Sequence, residues 1–125
     1  MLVDAYQKGW ALRYLREAID EINIARKDSR AFNLLLDALK KIEMAVYCSL
    51  GEPLLIENIV EDFVERDLMP RGPIIKHLVE IKKTIKRLEN TLHERLDNTF
   101  FRELDNILSI ASKIVDLITS LCAED

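Results

Sequence analysis

Apolar residues recur at spacings of three and four along almost all of this chain, and that rhythm leaves room for little but helices. The cleanest stretch is Ile74, Leu78, Ile81, Ile85, Leu88 and Leu92, six large side chains on one face of a helix that begins at Pro73. Just before it, Met69-Pro70-Arg71-Gly72-Pro73 is the one real loop, because two prolines bracketing a glycine forbid a continuous helix. No segment alternates with a period of two, so no strand is expected.

The other helices follow from the same spacing. A first helix is predicted from Val3 to Arg26, with Leu12, Leu15, Ile19 and Ile22 on its inner face. Asp28-Ser29 supplies a capping oxygen for a second, which buries Phe32, Leu35, Leu39, Ile42 and Val46 and stops at Gly51, where glycine tolerates a left-handed closing residue. A short third helix runs from about Leu54 to Arg66, with Ile56, Ile59, Val60 and Phe63 inward. The fifth begins after Asn98-Thr99 and sets Phe101, Leu104, Leu108, Ala111, Val115 and Ile118 in register. The expected fold is all-α, an up-and-down bundle of four long helices plus one short helix in a single domain, 1–125. Phe100, Ile107, Ile114 and Leu121 add a second apolar row to the last helix, which suits a central position or, preferably, a homodimer interface.

Composition narrows the function classes. The chain has 49% hydrophobic and 32% charged residues with only three glycines and three prolines, a balance that suits solvated helices rather than disorder. A net charge of −4 gives no global signal for nucleic acid, so any such contact needs a local patch. No cationic start precedes a long apolar run and no span approaches membrane length, so neither signal peptide nor membrane partner is expected, and cytoplasmic residence is. Cys48 and Cys122 lack companion ligands for structural zinc and read as buried spectators; no metal or cofactor is expected.

The stretch from Arg87 to His93 is the part of the chain that suggests chemistry. Arginine stays charged and its planar fork matches phosphate oxygens, while histidine titrates near neutrality. Together they are the minimal kit for cleaving RNA without a metal, by attack of a 2′-hydroxyl on the adjacent phosphate. Lys76, Lys82, Lys83, Lys86, Arg87 and Arg95 against Glu80, Glu89 and Glu94 make a basic stretch for the backbone. In an unbroken helix, however, residues six apart differ by about 240° around the axis, so Arg87 and His93 converge only if the helix bends or two copies share the site. Weaker candidates read as structure. Arg71 and His77 flank a helix start, the Tyr6, Trp10 and Tyr14 row is expected in the core with Trp10 partly exposed, and Glu57, Glu61, Asp62 and Glu65 form a solvated face.

Arg30-Ala31-Phe32 opens a long helix that ends Tyr47-Cys48-Ser49-Leu50-Gly51-Glu52-Pro53; Glu61 to Pro70 then forms a short helix and turn, and the Arg87, Asn90, His93 element precedes a helix rich in Ile, Leu and Val. In this order, from about Ser29 onward, the chain resembles a HEPN domain. The resemblance implies a small helical partner of a nucleotidyltransferase, toxin-like in active members and cutting RNA at a dimer cleft. Arg87 would hold the phosphate and His93 would act as general base or acid, with Lys83, Lys86, Asn90 and Arg95 as the candidate substrate contacts. Arg95 stands where many nuclease members carry tyrosine, and Leu88 where a polar residue often follows the arginine. The alternative is a non-catalytic helical interaction or scaffold module that touches a nucleic-acid backbone as a small subunit of a larger complex.

Overall fold

A computed structural model describes residues 5–92 and 98–122, with the side chains of Ala5, Leu121 and Cys122 outside the description. Five helices account for it: α1 (Ala5–Lys27), α2 (Asn33–Leu50), α3 (Pro53–Glu65), α4 (Pro73–Thr91) and α5 (Asn98–Cys122). No strand occurs among the described residues, so the chain is an all-α helical bundle, with α3 the short member.

Its centre is α2, which packs against each of the other four helices. The sequence says why. Leu34, Leu35, Leu36, Ala38, Leu39, Ile42, Met44, Ala45, Val46, Tyr47 and Cys48 surround nearly the whole of its axis, and a helix apolar on most sides has to be enclosed. The inner position expected of α5 therefore falls to α2. The second row on α5 is nonetheless covered within one chain, since Phe100 and Ile107 are buried and Ile114 packs on the core.

The face of α1 differs from the expected one. Ala11, Leu15, Ala18, Ile22 and Ala25 are buried, whereas Leu12 and Ile19 lie at the margin, 39% and 36% exposed. Hydrophobic size favoured the leucine and isoleucine, but a close helix–helix seam selects small side chains that let the axes approach. On α2 the matching residues are Ala38 and Ala45, fully buried on the side that carries Lys41. The Lys41 ammonium reaches across to Glu21 at 3.1 Å and Glu17 at 3.9 Å on α1, and to Asp37 on its own helix at 2.8 Å. These pairs fix the antiparallel register.

The ends also depart in detail. Asp28 does cap, but it accepts from the Arg30 N–H at 3.0 Å and closes a single 3₁₀ turn (Ser29–Ala31) ahead of α2. Gly51 ends α2 at φ 156° and ψ −139°, outside the left-handed helical region, while its N–H still bonds the Tyr47 carbonyl. Glu52 caps α3, whose first residue is Pro53, one earlier than expected. At its other end, the Leu68 N–H bonds the Phe63 carbonyl and the Asp67 N–H bonds that of Val64, with Asp67 at φ 51°. This is the Schellman closure, built on an aspartate where glycine is usual. On α3 it is Val60 that is buried and Ile56, Phe63 and Val64 that are half-buried; Ile59 turns outward. No described helix is long and apolar enough to cross a membrane.

Candidate functional site

A helix turns about 100° per residue, so Lys83, Lys86, Arg87 and Asn90 fall within an arc of about 100° on α4. All four are exposed, opposite the buried row of Leu78, Ile81, Ile85 and Leu88. The expected substrate contacts on α4 thus share one solvent face. His93 and Arg95, the other two candidates, lie outside the described residues.

Arg87 is not unengaged. Its guanidinium donates to Glu103 of α5 at 2.9 Å, and its side chain remains 58% exposed. Lys83 and Arg87 stand on the wall of an open cleft of about 370 Å³ between α4 and α5, with Ile81 and Ile107 beneath and Asn106 across from them. Lys83 and Lys86 have no ion-pair partner among the described residues. The cleft therefore offers one ammonium group, Lys83, one guanidinium already paired, and the amide of Asn106, beside the carboxylates of Glu80 and Glu103; Lys86 lies outside its lining. Such a set can hold a phosphate, but it contains no group suited to move a proton at neutral pH. His77, the described histidine, lies ten residues before Arg87, about 15 Å along the helix. It sits on the flank of α4 with its Nδ1 3.9 Å from Glu80, as expected of a flanking position.

Lys82 does not belong to this face. It is buried, its Nζ 2.6 Å from Glu43 Oε2 on α2 and 3.6 Å from Glu61 on α3. The Tyr47 hydroxyl donates to the same Glu43 oxygen at 2.9 Å. Burial alone would lower the lysine pKa, but the hydrogen bond and charge of Glu43, with Glu61 and Glu57 behind it, carry it above its ordinary value. Burial likewise pushes the Tyr47 phenol far up, helped by the Glu43 charge. The basic stretch is therefore one cation poorer than the sequence suggests. Glu57 is not solvated either: it pairs with Lys40 at 3.4 Å, while Asp62 pairs with Arg66 at 3.3 Å on the outer face.

Sequence reasoning missed this network. Its signal was Glu43 in the middle of a helix apolar on most sides, since a carboxylate there has to find a buried cation. Lys82 sits at the edge of the α4 stripe, three residues before Ile85 and four after Leu78. Cys48 is buried and its thiol is pushed up, first by burial and then by the charge of Glu52, which disfavours the thiolate. No group of three or more His, Cys, Asp or Glu able to hold a metal ion occurs among the described residues. No family model, no curated protein and no solved structure matches the chain.

Proposed function

We propose that the chain is a HEPN-like helical module that engages the phosphate backbone of RNA through the exposed face of α4. The observation that carries this reading is the common placement of Lys83, Lys86, Arg87 and Asn90 on one exposed face of α4, with Lys83 and Arg87 lining the α4–α5 cleft. In binding, the Arg87 guanidinium exchanges the Glu103 carboxylate for two phosphate oxygens, a planar fork being suited to either. His93 then takes the proton from the 2′-hydroxyl, whose oxygen attacks phosphorus. The 5′-oxygen of the next nucleotide leaves and is protonated, giving a 2′,3′-cyclic phosphate. A second copy of the chain supplies the rest of the cleft, and a nucleotidyltransferase is the partner that the resemblance implies.

Incubation with labelled RNA in EDTA tests the reaction: cleavage is expected, and it disappears in Arg87→Ala and His93→Ala variants that keep their helicity. Wild-type protein that leaves RNA intact ends the nuclease reading. The exposed ammonium groups of Lys83 and Lys86, which exchange no partner among the described residues before meeting a phosphate, carry a second reading, in which the α4 face only binds. That reading expects retention of RNA that falls steeply with salt, without products.

A further inference from the structure

The rings of α1 stand in a row beside its alanine seam. Tyr6, Trp10 and Tyr14 rise at intervals of four residues, with ring centroids 6.1 Å and 5.4 Å apart. Sequence reasoning put this row in the core, but only Trp10 and Tyr14 touch it, and Tyr6 is 71% exposed. The Tyr6 ring meets Trp10 at 69°, so the two planes form a corner rather than a stack.

A cleft of about 420 Å³ opens against this row. Met44 and Cys48 of α2 line it from one helix, and Glu52 and Pro53 from the α2–α3 junction. Glu52 is the one lining residue with a formal charge among the described residues, and its field reaches the Cys48 thiol. Aromatic faces are electronegative at their centres, so rings and carboxylate act with the same sign. On the other flank of Trp10 the Arg13 guanidinium lies 4.9 Å from the ring centroid. The indole thus already attracts a cation from within the chain, on the side that Gly9 leaves open.

We propose that this cleft binds a small organic cation with a methylated ammonium head, held on the faces of Tyr6, Trp10 and Tyr14 with Glu52 as counter-charge. An anion finds no cation among the described lining residues. A metal ion or a primary ammonium keeps its tight water shell, which the rings and the Met44 thioether do not replace. A methylated head carries charge on an apolar surface and loses little hydration on entry, so it matches both the rings and Pro53. The site is separate from the α4 face and does not rest on the RNA reading.

Trp10 is the only tryptophan of the chain, so its emission reports the site directly. The full-length protein is titrated with tetramethylammonium and with choline at constant ionic strength, and in parallel with the neutral dimethylbutanol isostere of choline. Saturable change is expected for the cations, with affinity at least about tenfold above that of the isostere. Tyr6→Leu, at an exposed ring, and Glu52→Gln each keep the Trp10 signal. The glutamine also retains an oxygen for the Leu54 N–H, which Glu52 accepts at 3.4 Å. Each change weakens cation binding about threefold or more with circular dichroism unchanged. Equal affinity for the neutral alcohol, no saturable response, or binding untouched by both substitutions would overturn the proposal.

Discussion

Replacing Lys82 by methionine leaves the Glu43 carboxylate buried without its main partner, and the size of the loss follows from the local geometry. The two side chains are 8% and 2% exposed and 2.6 Å apart. At an effective dielectric of about 20, a pair at this range attracts by about 6 kcal/mol, while withdrawing two ions from water costs several kcal/mol each. The intact pair is thus close to neutral in net stability, but a single substitution keeps the desolvation and removes the attraction. The general cost is about 3–5 kcal/mol. The lower end applies here, because the Tyr47 hydroxyl still donates at 2.9 Å and Lys40 lies 3.7 Å from the other oxygen. Lys82→Met is expected to lose about 3 kcal/mol in urea unfolding followed by circular dichroism, or about 12 °C in Tm. Glu43→Leu/Lys82→Met with Tyr47→Phe, which leaves no polar atom stranded, returns to within about 1 kcal/mol of wild type. A raised lysine pKa stabilises the fold below its ordinary value of 10.5, and that stability is lost as pH rises through the folded-state value. The wild type therefore loses stability in that alkaline window more steeply than Lys82→Met. A single substitution costing under about 1 kcal/mol, or a combined variant as weak as the sum of its parts, refutes the argument.

Three further outcomes follow from other parts of the chain. Glu103→Gln frees the Arg87 guanidinium, so binding of a polyanion such as heparin should strengthen several-fold at low salt, measured by anisotropy; unchanged binding removes α5 from the site. Asp67→Gly relieves a left-handed aspartate at the end of α3 and should add about 0.5–1 kcal/mol in thermal unfolding. Glu21 is held above its ordinary carboxylate value, first by burial and then by the neighbouring Asp37 carboxyl, with Lys41 pulling the other way. Its favourable contribution exists below pH 4.5 and is lost as pH rises through the folded-state value, so Glu21→Gln should gain a few tenths of a kcal/mol at neutral pH and nothing in acid.

Helix order and most boundaries follow from periodicity and from the few Pro and Gly residues. Pro73 does open α4, and Gly51 does close α2. Periodicity fails where size and fit disagree. Leu12 and Ile19 outrank Ala11 and Ala18 on any hydropathy scale, yet the alanines share the buried row with Leu15 and Ile22, and the larger pair stays at its margin. The α4 face needed only the helical repeat, which is why Lys83, Lys86, Arg87 and Asn90 emerge together. Its partner Glu103 depends on how α5 crosses α4, sixteen residues on, and no local pattern carries that. Lys82 shows the same limit: next to basic neighbours it reads as surface, and only Glu43 from a different helix makes it interior.

The methyl groups between α1 and α2 act as a gauge for the N-terminal hairpin. Two backbones held this near exclude an indole or phenol from between them, so Tyr6, Trp10 and Tyr14 are displaced to the rim. The mouth they border then inherits its width from main-chain spacing rather than from adjustable rotamers. Enlarging Ala11 or Ala18 would shift the three rings outward as one rigid comb, their mutual intervals preserved and their distance from Glu52 changed.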